Sequence, residues 1–354
     1  MGSPACRTRP ARNRAGREWA SYHVFYHGPG DRLLSRLVLP VVRDLWNRGR
    51  IDRFFFIRYG LGGPHVRLRL LCAPGAGEEA GESLRQAAEG FFARWPAETL
   101  DDDEIRRQNR PFAASHSPAE LDAVHPNHSV ASVPFEPEVE RYGGPDLIGS
   151  SLDFFCVSSA YALDLISRHE GEPRPRRLSH AMRALLRQAL GFAAGGRELP
   201  AIAAYAAAGT GPGTSLLLAR ADQEFARSPE DYLALIQEEI EISRDSLLTA
   251  AAQALESRLR GTADPAWWRV VGSQLHMTAN RLDLMNVEEL YLGQILRRAL
   301  ERAATPPAAL PVSPGSGDNG LAALAASSLA WLAASTRDED LAYAGIPERA
   351  NDER

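Results

Sequence analysis

Strand patterns are confined to the first part of this chain, and helical patterns fill the rest. Three short segments rich in aromatic and β-branched residues predict strands over 22–26, 53–59 and 65–72. The glycine-rich run 60–64 between the last two predicts a hairpin. From about residue 146 onward, most apolar residues recur at helical spacing. This order predicts an α+β fold, in which a small N-terminal antiparallel or mixed sheet is packed by a mostly helical C-terminal part.

Apolar spacing and the positions of proline and glycine predict the helices and loops. A helix is predicted to begin at Asp31 and to kink at Pro40. The polar stretch 97–128 is predicted to be a long surface loop, and 129–138 to be extended. The other predicted helices cover 83–95, 146–169, 177–194, 198–208, 214–226, 229–260, 265–303 and 321–334.

A single domain is predicted to hold most of the chain. Residues 1–17 are rich in arginine and lack large apolar side chains, so they are predicted to be a disordered tail. Residues 18–303 are the predicted domain, 304–319 a Pro/Gly/Ser linker, and 320–354 a short helix with a charged tail. We expect the helix in this last segment to pack on the domain or on a partner.

Composition excludes several classes of function. The chain has 40 lysine or arginine residues and 45 acidic ones, which argues against a general nucleic-acid binder, since such a protein needs excess positive charge. None of the 40 is a lysine, so Schiff-base chemistry and a Walker phosphate loop are excluded. The three cysteines have no zinc or CxxC spacing, which favours a cytoplasmic protein. No apolar run is long enough to span a membrane, and neither metal nor cofactor is predicted.

Arginines concentrate on the predicted hairpin. Strand alternation places Arg67 and Arg69 on one face, about 7 Å apart, with apolar neighbours on the other face. Arg58 lies on the neighbouring strand and could join them. Such a cluster repels itself unless an anion neutralises it. The anion is either a carboxylate of the chain itself, which makes the cluster structural, or a carboxylate of a ligand, which makes it a binding site.

Two further segments carry candidate functional residues. Arg141 follows three acidic residues and precedes Tyr142 and a glycine pair, so it forms either a local salt bridge or part of a site fixed by the turn. In a predicted C-terminal helix, His276 and Asn280 are four residues apart and share a face. An isolated helical histidine is usually structural, but beside an arginine cluster a histidine stays neutral, as a general base must be.

Four segments of the chain, taken in order, resemble one family. They are 56–59, 64–69, 140–144 and 276–281. Together they resemble the lantibiotic dehydratase C-terminal domain, also called the thiopeptide-type bacteriocin biosynthesis domain, over roughly residues 19–303. In that family the domain eliminates glutamate from glutamylated serine or threonine side chains, which leaves dehydroalanine or dehydrobutyrine.

The resemblance implies a role for each matching residue. Arg67, Arg69 and Arg141 would hold the glutamyl carboxylate, and His276 would transfer a proton. Arg141 and His276 are therefore the predicted catalytic residues. The predicted substrate-binding residues are Arg58, Arg67, Arg69, Tyr142, Gln274, Asn280 and Arg281. This activity requires that the side chains converge around a solvent-filled hollow large enough for a peptide.

We expect the matching region to be free-standing, with no glutamylation domain before it. The resemblance implies that free-standing relatives are either separate eliminases or pyridine synthases of thiopeptide pathways. Segments 19–26, 63–65 and 126–130 and the pair Ser158-Ser159 look more similar to the synthases. We therefore expect a pyridine synthase that joins two dehydroalanines in a formal 4+2 aza-cycloaddition and then releases water and the leader peptide. The alternatives are a glutamate eliminase and a non-catalytic subunit that binds the leader by strand addition. The expected partners are a leader-bearing precursor peptide and other peptide-maturation enzymes.

Overall fold

The chain divides into two compact units. The computed structural model describes residues 16–195, 199–206, 213–303 and 320–335. The first unit takes in 1–135, 166–170 and 329–354, and the second takes in 136–165 and 171–328. The predicted 304–319 linker, the charged end beyond 335 and all but the last two residues of the predicted 1–17 tail lie outside the described residues.

A small antiparallel sheet forms the core of the first unit and confirms the predicted α+β class. Its strands are β1 (Glu18–Phe25), β2 (Ile51–Tyr59), β3 (His65–Cys72) and β4 (Ser129–Ser132), in the order β2-β3-β1-β4. The predicted hairpin joins β2 to β3. Of the stretch 129–138, which is predicted to be extended, only the first four residues form a strand. Pro134 and Pro137 follow, and proline has no N–H to donate to a strand ladder.

One face of this sheet is apolar and buried. Val24, Phe56 and Leu68 on this face have no exposed surface. The helix α3 (Gly77–Arg94) packs closely here, because a Cβ at Gly81 would lie only 2.6 Å from the Tyr22 hydroxyl. That hydroxyl donates a hydrogen bond to the carbonyl of Gly77, at 3.0 Å. The opposite face of the sheet is therefore the one available for polar chemistry.

The helix predicted from Asp31 contains a π-helical turn. It consists of α1 (Gly30–Leu33), the π turn Leu34–Val38 and α2 (Leu39–Asn47). Pro40 lies directly after the wide turn. Because proline cannot donate a hydrogen bond to the preceding turn, the irregularity occurs where its N–H is missing.

The stretch 97–128 is not wholly a loop, and that prediction is wrong in part. It contains α4 (Asp102–Asn109) and α5 (Pro118–Asp122). The Asp101 side chain caps α4 by accepting hydrogen bonds from backbone N–H groups of its first turn. Ile105 is the only large apolar residue that α4 buries. The apolar spacing that normally indicates a helix is consequently missing from the sequence.

The second unit is helical. Its helices are α6 (Ile148–Arg168, whose last three residues belong to the first unit), α7 (Arg174–Phe192), α8 (Leu199–Ala206), α9 (Thr214–Arg227), α10 (Pro229–Ser243), α11 (Leu247–Leu259), α12 (Asp264–Arg281) and α13 (Asn286–Arg302). The single helices predicted over 229–260 and 265–303 are therefore each two helices. Ser246 caps α11, and Asp283 adopts a left-handed conformation (φ 63°) between α12 and α13.

The C-terminal helix α14 (Gly320–Ser335) is buried along one side. Leu321, Ala325, Leu329 and Leu332 on this side are each at most 3% exposed. This agrees with the expectation that the helix is packed rather than free. Among the described helices, none combines the length and the apolar character that crossing a membrane requires.

Candidate functional site

The polar face of the sheet in the first unit carries two of the predicted arginines. In the register of β1 with β3, His23 lies opposite Arg67, and Phe25 lies opposite His65. Directly paired residues of an antiparallel sheet share a face, so His23 and Phe25 lie on the face of Arg67 and His65. Arg69 is two residues from Arg67 and lies on this face as well, as strand alternation predicts. Strand β2 contributes Tyr59, which pairs with His65.

Arg58 lies on the other face of the sheet. It pairs with Val66, whose side chain belongs to the buried apolar face, and its guanidinium forms an ion pair with Asp31 of α1. The sheet therefore does not bring Arg58 to Arg67 and Arg69. For Arg58, the structural interpretation, in which a carboxylate of the chain itself neutralises the arginine, agrees with the observed ion pair.

Arg69 is a buried guanidinium that meets no carboxylate among the residues the structure describes. Its side chain is 7% exposed, and its Nη2 donates to His23 Nε2 at 3.4 Å. The Phe135 ring lies 5.6 Å away. Within the described part of the chain, no carboxylate comes within ion-pair distance of Arg69, and its Nε has no hydrogen-bond acceptor. Burial, with the neighbouring positive charge of Arg67, lowers the pKa of Arg69 to about 10, so it remains charged at neutral pH.

Two neutral histidines accompany these arginines. The rings of His23 and His65 stack at 4.8 Å. The Nδ1 of His65 donates to the Gly63 carbonyl at 2.8 Å, which leaves its Nε2 to accept a bond from Arg67 Nε at 3.4 Å. Burial is the largest cause that lowers the pKa of His65 to about 3, and burial together with His65 lowers that of His23 to about 2. Both imidazoles are therefore uncharged at physiological pH.

In the second unit, Arg141 contacts the helix that carries His276. Its Nη1 forms the predicted local salt bridge, with Glu138 at 3.0 Å. Its Nε donates to Ser273 Oγ on α12 at 3.2 Å. Residues three apart on a helix are surface neighbours, so Ser273 places Arg141 one turn from His276. Both predicted catalytic residues of this unit thus belong to one locality.

His276 is paired with a carboxylate that the sequence did not indicate. Its Nδ1 donates to Glu289 Oε2 on α13 at 2.8 Å, and the two side chains are 37% and 10% exposed. Donation from Nδ1 leaves Nε2 with a lone pair, which is the arrangement of a general base held by a carboxylate. Only recognition of the turn between α12 and α13 could have identified Glu289, because that turn brings the first part of α13 back to α12.

Two arginines of α7 form hydrogen bonds that hold the turn between α12 and α13. Arg174 donates to the carbonyl of Asp283 at 2.7 Å and to the carboxylate of Glu288 at 2.8 Å. Arg177 donates to the Asp283 carboxylate at 2.8 Å. These bonds hold the left-handed Asp283 and fix the start of α13. They therefore fix where Glu289 meets His276.

The remaining predicted binding residues of this unit lie deeper. Tyr142 is 5% exposed with its ring 4.9 Å from that of Phe155, and burial raises its pKa to about 12. Gln274 and Arg281 are 0% exposed. Arg281 donates to Ser159 Oγ at 2.8 Å, and burial lowers its pKa to about 10. Asn280 is half-buried.

The predicted site residues thus belong to different units. Arg67 and Arg69 belong to the first unit, and Arg141 and His276 belong to the second. Their convergence on one substrate stays a prediction, as does substrate contact by the deeper residues of the second unit.

Comparison with known proteins identifies the family. The sequence profile described as "Lantibiotic biosynthesis dehydratase C-term" matches residues 19–300. The chain belongs to this family. Its membership confirms the predicted resemblance and makes the chain a protein of modified-peptide biosynthesis, from a family of peptide-modifying enzymes. No curated protein matches the sequence significantly.

Solved structures share the fold. The pyridine synthase TbtD from thiomuracin biosynthesis superimposes with a TM-score of 0.58 at 16% identity, over 79% of this chain and 97% of that one. TsrL gives 0.53 at 16% identity, over 84% and 99%. The tRNA-dependent lantibiotic dehydratase MibB from Microbispora sp. 107891 gives 0.50 at 22% identity, over 83% of this chain but only 29% of that one. At these identities the likeness establishes the fold.

Proposed function

We propose that the protein is a pyridine synthase of a thiopeptide-type pathway. Its substrate would be a leader-bearing peptide with two dehydroalanines. The amide that ends at the nitrogen of one dehydroalanine tautomerises to an iminol. The resulting 2-azadiene adds to the second alkene through its two terminal carbons, forming two C–C bonds. Loss of water and then of the leader as a carboxamide gives the aromatic pyridine. Atoms and electrons balance without an oxidant.

The observation that carries this proposal is the pair of His276 with Glu289. The reaction moves protons three times: when the iminol forms, when the hydroxyl leaves as water, and when the leader carboxamide departs. An imidazole oriented at Nδ1 and open at Nε2 can accept and return each proton. Arg141, beside the same turn of α12, can stabilise negative charge that develops on an amide oxygen.

The fold that this chain shares with TbtD supports the synthase. TbtD, described as a pyridine synthase, is covered over 97% of its length, whereas MibB is covered over 29%. This chain therefore shares the fold of a protein described as a pyridine synthase from thiomuracin biosynthesis. Because a shared fold does not by itself assign a reaction, the pyridine-forming reaction is what we propose.

Mass spectrometry tests the proposal directly. The purified protein is incubated with a leader-bearing, azole-containing peptide in which the reacting serines are already dehydroalanines. We expect a product that has lost one water together with a released leader ending in a carboxamide. An unchanged substrate mass, under conditions in which the protein binds the peptide, would contradict the proposal.

Arg69 favours a second candidate, a glutamate eliminase. A charged, buried guanidinium that lacks a carboxylate among the described residues is suited to hold the free carboxylate of a glutamyl group. A base would remove the α-proton of the glutamylated serine, and the Cβ–O bond would break to release glutamate and leave dehydroalanine. Incubation with a glutamylated peptide separates the candidates, because only an eliminase produces free glutamate and the alkene.

A further inference from the structure

A tyrosine and a histidine form a hydrogen-bonded pair at the end of strand β2. The Tyr59 hydroxyl lies 3.3 Å from Nε2 of His116. On the other side of the same imidazole, the Phe112 carbonyl lies 3.3 Å from Nδ1. Because a carbonyl oxygen can only accept, it holds the imidazole proton on Nδ1, and Nε2 accepts from the phenol. Tyr59 is therefore oriented as a proton donor toward a neutral acceptor.

His116 comes from the stretch 97–128, which the sequence predicts to be a loop. It lies between the 3-10 turn Arg110–Phe112 and the start of α5. Ser117 and Glu120 form a capping box at the start of α5, which fixes the direction of the chain directly after His116. Local structure on both sides therefore sets the position of this imidazole.

Other side chains of the first unit hold the Tyr59 ring in one orientation. The Arg67 guanidinium carbon lies over the ring, 3.4 Å from its centre. The rings of Phe112 and His65 lie 5.1 and 5.7 Å away. Tyr59 is only half-buried in spite of these contacts. Part of this fixed phenol is thus open to a substrate on the polar face of the sheet.

We propose that Tyr59 is a catalytic acid on the polar face of the sheet and that His116 is its positioning residue. The inference rests on the proposed function. The six-membered ring that cycloaddition forms carries a hydroxyl on the former amide carbon, and this hydroxyl must leave as water. Hydroxide is a poor leaving group, so a proton has to reach the oxygen as the C–O bond breaks.

The step balances without a further reactant. The phenol proton passes to the hydroxyl, and the electron pair of the C–O bond stays on the oxygen that departs as water. A carbon of the six-membered ring then loses a proton, which restores the phenol, and the C–H electron pair completes a new double bond. One water is lost, and nothing is oxidised or reduced.

Tyrosine is suited to this step by its chemistry. A phenol is protonated at neutral pH, and it can release that proton and regain it. The guanidinium groups of Arg67 and Arg69 on the same face hold their protons too tightly to donate them. The His65 proton is already given to the Gly63 carbonyl, at 2.8 Å.

Tyr59→Phe tests the acid, because it removes the hydroxyl and keeps the ring. The substrate is a leader-bearing peptide with only two dehydroalanines. We expect kcat for pyridine formation to fall at least about a hundredfold, with KM within about threefold of the unmodified value. We also expect an adduct of unchanged mass to accumulate. Neither alkene of this adduct reacts with added thiol, whereas an unreacted peptide adds two thiols, so mass spectrometry after thiol treatment identifies the step that has stopped.

His116 is tested by a conservative and a disruptive variant. His116→Gln keeps a neutral acceptor for the phenol, so we expect kcat within about threefold of the unmodified value. His116→Ala removes the acceptor, and we expect kcat to fall about tenfold at unchanged KM. Ser117→Ala is the matched control, since it removes the cap of α5 beside His116 and leaves the bond to Tyr59 in place. It should keep the unmodified kcat.

Two results overturn the inference. One is pyridine formation by Tyr59→Phe within about threefold of the unmodified rate, since loss of a catalytic acid costs far more. The other is a stalled Tyr59→Phe reaction in which both alkenes still add thiol, because the block would then precede the loss of water. Failure of the proposed function is distinguishable from both. In that case the unmodified protein itself forms no pyridine, and the inference fails with it.

Discussion

Replacement of His276 by alanine is expected to lower kcat/KM for the peptide substrate by at least about a hundredfold while leaving peptide affinity nearly unchanged. The imidazole is the only group in its locality that combines an oriented Nδ1 with an open Nε2, among the residues described here. Removal of that nitrogen removes the proton carrier, whereas binding of the peptide depends on contacts along its length. Quenched-flow mass spectrometry of product, together with calorimetric binding, separates the two effects.

Two further variants sharpen this test. Glu289→Gln keeps the shape of the partner and loses its charge, so we expect a smaller loss of about ten- to hundredfold. His180→Ala is the matched control, since His180 forms a similar pair with Glu172, at 3.0 Å, elsewhere in the second unit. It should retain full activity. If His276→Ala binds and turns over the peptide like the unmodified protein, the His276–Glu289 pair is structural. If the unmodified protein binds the peptide but, like the variants, gives no product, the protein is a leader-binding subunit.

Replacement of Arg187 by methionine is expected to lower the free energy of unfolding by about 3 kcal/mol. Glu239 of α10 is 0% exposed and is held by Arg187 and Arg183 of α7, each at 2.5 Å. Arg187 also donates to the Tyr161 hydroxyl at 2.9 Å. The substitution leaves a fully buried carboxylate with one partner, so the cost of removing it from water is no longer offset. Urea denaturation followed by circular dichroism measures the change.

The control for this prediction is an exposed ion pair of similar chemistry. Arg227 pairs with Glu224 at 3.1 Å on α9, and the Arg227 side chain is 74% exposed. Water and salt screen such a pair, so Arg227→Met should leave the unfolding midpoint unchanged. Equal midpoints for Arg187→Met and the unmodified protein would show that Glu239 does not need both arginines.

The sheet could be predicted because its chemistry is local. Alternation along β3 put Arg67 and Arg69 on one face, and the glycines between β2 and β3 marked the hairpin. Helix α4 could not be predicted in this way, since its stability comes from the Asp101 cap and charged side chains rather than from an apolar stripe. The break between α12 and α13 could not be predicted either, because its left-handed residue, Asp283, is an aspartate and not a glycine.

In the candidate site, too, local sequence patterns identified single residues but not their partners. Helical spacing identified His276, but Glu289 becomes its partner only after the chain reverses between α12 and α13. Strand alternation could not place Arg58, whose partner Asp31 lies in a different element. The pairing of His23 with Arg69 requires the register of β1 against β3, which a single sequence does not supply.

The most direct test of the central claim is a single incubation that offers both kinds of substrate. A dehydroalanine-containing peptide and a glutamylated peptide, distinguishable by mass, are mixed with the purified protein and followed over time. The account predicts that the dehydroalanine peptide loses water and its leader as a carboxamide while the glutamylated peptide persists. Release of glutamate, with the dehydroalanine peptide untouched, would contradict it.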